Sequence, residues 1–115
     1  MTGTLQVTVK KEDAYAVVYT DGYINNLGGE KVAEACTGLI DEGFRHLILN
    51  LEKSTVVNSV GISILIEVIE RIESIQGTLS FCNLTPTIAK TFHIMRLTEA
   101  TTIYDNESDA AEALR

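Results

Sequence analysis

The sequence predicts an α/β domain built on a mixed central β-sheet of about four to five strands, with helices packed on it. Three observations predict this class. The chain opens with an apolar–polar alternation that reads as a hairpin; short apolar runs then alternate with longer segments of helical periodicity; and turn-forming glycine and asparagine residues stand at the junctions.

The alternating segment Leu5-Gln6-Val7-Thr8-Val9 predicts a first strand, and a charged turn at residues 10–13 leads to a second at Ala14-Tyr15-Ala16-Val17-Val18-Tyr19. Turn formers fill Asp21-Gly22-Tyr23-Ile24-Asn25-Asn26. After Gly28-Gly29, the positions Val32, Cys36, Leu39 and Ile40 recur at helical spacing until Gly43. His46-Leu47-Ile48-Leu49-Asn50-Leu51 is nearly all apolar, as expected of a central strand covered on both faces. A loop from Glu52 to Asn58 precedes a second helix. Its stripe of Ile64, Leu65, Val68, Ile69, Ile72 and Ile75 faces inward, and Glu67, Glu70, Arg71 and Glu73 face out. The β-branched content of this stripe disfavours helix locally, so burial must hold it. Gly77 ends that helix and Thr78-Leu79-Ser80-Phe81-Cys82 is the next strand. Thr85-Pro86 then supplies a capping hydroxyl and a first-position proline to a third helix, with Ile88, Phe92 and Met95 inward. A short strand at Thr102-Ile103-Tyr104 leads to Asn106, an N-cap for a small amphipathic helix through Ala110, Ala113 and Leu114. Strands separated by helices in this order run parallel and are joined by right-handed crossovers.

At 115 residues the chain matches one domain spanning 1–115, and no repeat, linker or low-complexity stretch interrupts it. Nine basic residues against 16 acidic ones leave a net charge of −7, which argues against nucleic acid and acidic membranes as partners and favours encounter with a basic protein surface. Cys36 and Cys82 stand far apart in no ligand spacing and read as ordinary buried thiols. No secretory signal is evident, and the longest apolar run, Ile62 to Ile66 broken by Ser63, is too short to span a bilayer. These features predict a cytoplasmic protein without direct membrane insertion.

The residues offer no catalytic constellation. Gly28-Gly29-Glu30-Lys31 lacks the glycine spacing and the Lys-Ser/Thr pair of a phosphate loop, and reads as a helix start needing flexible glycines. His46 opens a buried strand and His93 lies in a helix without a companion, so structural or surface roles fit both. Glu67, Glu70 and Glu73 share an exposed face with no histidine beside them, which suits solvent or a partner and not a metal. No cofactor, metal site or enzymatic activity is expected.

The informative place is Val56-Val57-Asn58-Ser59-Val60-Gly61-Ile62, where a polar pair opens a long helix. Two readings of Ser59 stand side by side. Its hydroxyl caps the helix, or it accepts a phosphate, which would gain from the helix dipole and open amides while placing close to two negative charges on a docking surface.

The run Arg45-His46-Leu47-Ile48-Leu49-Asn50-Leu51-Glu52, followed by Asn58-Ser59-Val60-Gly61 and a hydrophobic helix, resembles the STAS domain, the fold shared by sulfate transporters and bacterial anti-sigma-factor antagonists. Asp21-Gly22-Tyr23-Ile24-Asn25 and Phe81-Cys82-Asn83-Leu84-Thr85-Pro86 match in the same register, so the resemblance covers essentially the whole chain. It is strongest to the free-standing antagonists, since no residues are left over for a transmembrane portion.

The resemblance implies a partner switch in bacterial transcription regulation. The unphosphorylated domain binds an anti-sigma factor that is also a serine kinase, and phosphorylation releases it; a serine phosphatase would reset the switch. The acceptor implied is Ser59, and the partner-binding residues are Asn25, Asn26, Asn58, Ser59, Val60, Gly61 and Ser63. The chain departs from the family's Asp-Ser-Ser/Thr-Gly motif: Asn58 replaces the motif aspartate, Asn25 replaces the aspartate after the second strand, and Val60 replaces the second hydroxyl. Both asparagines keep size and hydrogen bonding but remove a negative charge. The alternative reading is a non-phosphorylated scaffold or accessory subunit of a sensory complex or membrane transporter. The isolated domain is expected to be a monomer or weak homodimer.

Overall fold

The computed structural model describes residues 5–114. Strands β1 (Gln6–Lys11) and β2 (Ala16–Asp21) form the expected antiparallel hairpin. Helix α1 (Asn26–Asp41), β3 (His46–Lys53), α2 (Ser59–Ser74), β4 (Thr78–Cys82), α3 (Pro86–Ile94), a 3₁₀ turn (Leu97–Glu99), β5 (Thr102–Tyr104) and α4 (Glu107–Glu112) follow. The five strands lie in the order β1-β2-β3-β4-β5, and every pair after the hairpin is parallel. Each parallel step is bridged by a helix, as parallel neighbours require, since a tight turn cannot return the chain to the same edge.

Strand alternation divides the sheet into two faces. Ala16, Val18, Leu47, Leu49, Leu51, Leu79 and Phe81 point to one face, where α1, α2 and α3 cover them with Val32, Cys36, Leu39, Leu65, Ile69, Ile72, Ile88 and Phe92. Phe81 and Phe92 meet edge to face at 4.9 Å. Val17, Ile48 and Cys82 point to the other face, beneath Ala110 and Ala111 of α4. β3 is buried from both sides, which is why its sequence shows no alternation.

Several expectations need correction. α1 begins at Asn26, ahead of the glycine pair, so Gly28 and Gly29 are not a flexible helix start. They permit close approach: a methyl group on Gly28 would run into the Tyr23 carbonyl oxygen, and one on Gly29 would lie 3.0 Å from Ile64 Cδ1. Gly43 does leave α1 in the left-handed region, at φ 106°, but after α2 that conformation falls on Gln76, at φ 63°. Gly77 is required instead because its backbone passes the Arg45 carbonyl. Met95, expected inward, lies just beyond the end of α3 and is exposed. Ala113, expected on the apolar face of the last helix, is exposed because α4 stops at Glu112; Ala111 takes the inward place. Thr85 and Asn106 cap α3 and α4 as expected, accepting from Ile88 N at 3.2 Å and Asp109 N at 2.8 Å.

Candidate functional site

The loops that leave β2 and β3 at their C-terminal ends are stitched together. Gly22 N donates to Lys53 O at 3.0 Å, Ile24 N to Val56 O at 3.0 Å, and Asn58 N to Ile24 O at 3.2 Å. These bonds form a parallel bridge between Ile24 and Val57, so the sheet continues past its strands for one more rung. Below the bridge, Thr20 Oγ1 and Ser54 Oγ are buried and 2.6 Å apart, each satisfying the other.

The stitched loops end on two asparagines that do the same job. Asn25 Oδ1 accepts from Gly28 N at 2.9 Å and caps α1; Asn58 Oδ1 accepts from Gly61 N at 2.8 Å and caps α2. Asparagine ranks with aspartate and serine at this position. The cap reading of Ser59 is therefore overturned: Asn58 occupies the N-cap, and Ser59 is the first residue of α2. Its carbonyl accepts from Ser63 Oγ at 3.0 Å, while its own hydroxyl is exposed and has no partner among the described residues.

Gly61 makes this arrangement possible. It is buried, and a methyl group there would collide with the carbonyl oxygen of Ile24. The first turns of α1 and α2 thus lie side by side, Gly29 against Gly61, with neither turn carrying an acidic residue. Two positive helix ends meet on a protein whose net charge is −7.

Of the residues the sequence singled out, the fold brings together Asn25, Asn26, Asn58, Ser59, Val60 and Gly61, with Ser63 one turn along α2. Asn26, Ser59, Val60 and Ser63 are exposed, and Gly61 lies beneath them as a spacer. Apart from Val60, sequence reasoning missed the apolar rim. Seven large hydrophobic residues are exposed among those described, and four of them, Tyr23, Leu27, Val56 and Val60, sit on these two turns, which marks a patch and not scatter. The available signal was apolar residues in stretches otherwise built for turns, off the periodic stripe of either helix.

The remaining candidates lie elsewhere. His46 stands at the opposite end of β3, its Nδ1 2.8 Å from Thr78 Oγ1, and His93 is exposed on α3. Both thiols are buried, and burial pushes each up to about 12, with the Glu107 and Glu52 charges adding to the effect at Cys82. Among the described residues no cluster of His, Cys, Asp and Glu could hold a metal ion, and no helix is long and apolar enough to cross a membrane.

The STAS domain family matches residues 6–110. A Bordetella bronchiseptica protein named as an anti-sigma factor antagonist, BtrV, is 22% identical over 111 residues, 96% of each chain. An anti-sigma factor antagonist from Mycobacterium paratuberculosis superposes with a TM-score of 0.86 at 20% identity, covering 100% of this chain and 99% of the other. The phosphorylated form of the Bacillus cell fate determinant SpoIIAA superposes with a TM-score of 0.75 at 19% identity, covering 96% of this chain and all of the other.

Proposed function

The chain belongs to the STAS domain family, and on that premise we propose that it is an anti-sigma-factor antagonist. It docks onto an anti-sigma factor that is also a serine kinase, and it is released when Ser59 is phosphorylated. The observation that carries this reading is the state of the Ser59 hydroxyl. Because Asn58 does the capping, the hydroxyl is exposed at the mouth of α2 without a partner among the described residues, inside a rim of exposed apolar residues.

Docking needs the rim. Tyr23, Leu27, Val56 and Val60 provide desolvatable apolar area around a polar centre, the usual anatomy of a binding patch. Phosphorylation joins Ser59 Oγ to the γ-phosphorus of ATP, ADP leaves, and the hydroxyl proton passes to a base of the kinase. The product does not endanger the fold: a dianion at the first position of α2 is favoured by the helix dipole by about 0.3–1 kcal/mol. It does endanger docking, since a charge forced into a desolvated interface without a partner costs on the order of 2–5 kcal/mol. The departures Asn25 and Asn58 fit this scheme, because both retain the capping that holds the two turns together. The relatives named as anti-sigma factor antagonists support the partner class.

Titration calorimetry with a cognate serine-kinase anti-sigma factor tests the proposal, together with intact-mass analysis after kinase and ATP. Expected are a complex with the wild type and with Ser59→Ala, loss of the complex with Ser59→Asp, and one added phosphate that Ser59→Ala abolishes. A complex that forms while kinase and ATP leave the mass unchanged would replace the switch with a constitutive scaffold.

A further inference from the structure

α4 is the only described helix on its face of the sheet, and it is weakly built. Six residues make less than two turns, too short to persist without tertiary support. The support is small: Ala110 and Ala111 are buried against Tyr15, Val17, Ile48 and Cys82, with Leu114 and Tyr104 packed at the margin. The opposite face is closed by leucines, isoleucines and Phe92 from three helices, and no residue of α4 belongs to that core. Polar contacts also tie α4 to the sheet. Glu107, at its first position, accepts from Lys10 Nζ of β1 and from Asn50 Nδ2 of β3, the latter at 3.2 Å. Lys10 also lies 6.0 Å from the centre of the Tyr19 ring.

We propose that α4 is a releasable latch, which swings off the sheet as a unit and uncovers the Tyr15–Val17–Ile48–Cys82 face while the core under α1, α2 and α3 stays folded. Apolar and polar contributions are separable: small side chains give up little buried apolar area, and the Glu107 carboxylate carries ties to β1 and β3 that one substitution removes. The chain supplies its own reporters. Cys82 lies under the latch and Cys36 in the other core, both fully buried and both unreactive as buried neutral thiols while closed. Opening the latch frees Cys82 alone; Cys36 is freed only by global unfolding.

The test is alkylation of the intact protein with N-ethylmaleimide under native conditions, with each cysteine followed by peptide mass spectrometry. Cys82 is expected to react at least about a hundredfold faster than Cys36, the separation between local and global opening. Glu107→Ala should speed Cys82 by about tenfold, as expected when roughly one charged hydrogen-bonded contact of the closed state is lost, and leave Cys36 unchanged. Lys10→Met, which removes the ion pair from the sheet side, should act the same way. One common rate for both cysteines in the wild type would overturn the latch, and so would a Cys82 rate indifferent to both substitutions. Should Glu107→Ala speed both cysteines equally, by loosening the whole fold, the wild-type ratio and Lys10→Met decide.

Discussion

Replacing Gly61 with alanine tests whether the two helix mouths must lie in contact. The added methyl group would meet the Ile24 carbonyl, a backbone group that cannot rotate away as a side-chain tip could, and Ile24 Cγ2 at 3.1 Å. Overpacking of this kind costs about 1–3 kcal/mol. Moving α2 outward to relieve it stretches the bonds Ile24 N to Val56 O, Asn58 N to Ile24 O and Gly61 N to Asn58 Oδ1. Each of these contributes a net of roughly 0.5–1.5 kcal/mol. Alanine's better helix propensity returns up to about 1 kcal/mol. The expected net loss is about 2–4 kcal/mol, a large part of the roughly 5–15 kcal/mol that holds an ordinary domain. At about 4 °C per kcal/mol for a chain of this size, the melting temperature should drop by roughly 8–16 °C. Urea titration and thermal melting followed by circular dichroism would measure it. Gly38→Ala is the control: nothing lies within 4 Å of a methyl group there, so the same change in α1 should stabilise by about 0.5–1 kcal/mol. If both variants shifted the urea midpoint upward together, the contact between the mouths would not constrain the fold.

The capping assignment predicts that Asn58→Ala costs about 1 kcal/mol in urea titration while Ser59→Ala stays within about 0.5 kcal/mol; the reverse order would return the cap to Ser59. Asn58→Asp should keep the cap and gain about 0.3–1 kcal/mol from the helix dipole, read as a higher urea midpoint. At the docking face, Ser59→Asp should weaken binding to the kinase partner by on the order of a hundredfold or more, measured by calorimetry, while its melting temperature is not lowered, since the helix dipole favours the added charge. Burial pushes the Glu107 carboxyl up, but hydrogen bonds from Lys10, Tyr19 and Asn50 together with the Lys10 charge outweigh it and hold the group below its ordinary value of 4.5. Its stabilisation is therefore complete above 4.5 and fades as pH falls through the lower folded value. The urea midpoints of wild type and Glu107→Gln should differ at neutral pH and converge in acid, once pH has fallen through the lowered folded value; a gap that persisted there would detach the effect from that charge.

Much of the fold was legible because its signals are local. The apolar run from Leu47 to Leu49 marks a strand buried on both faces, and Thr85-Pro86 and Asn106 mark helix starts by the hydrogen bonds and backbone angles that those residues favour. Legibility failed where the deciding contact came from elsewhere in the chain. Gly28 and Gly29 read as a flexible helix start and Gly77 as a helix end, yet each is a spacer against a neighbour, the Tyr23 carbonyl, the Ile64 side chain and the Arg45 carbonyl. Met95 fits an inward helical position until the helix ends one residue before it.

The residues alone determined the order of elements, the mixed sheet and the placing of a polar turn at the start of α2, because periodicity, caps and turn chemistry act between near neighbours. The tertiary fold decided that Asn58 and not Ser59 caps that helix, that Asn25 stands beside it in the same role, and that Tyr23, Leu27, Val56 and Val60 gather into one rim. Adjacent asparagine and serine are equally able to cap, and only the bridge from Ile24 to Val57, made across the sheet by chain segments far apart in sequence, selects one and leaves the other's hydroxyl open to solvent.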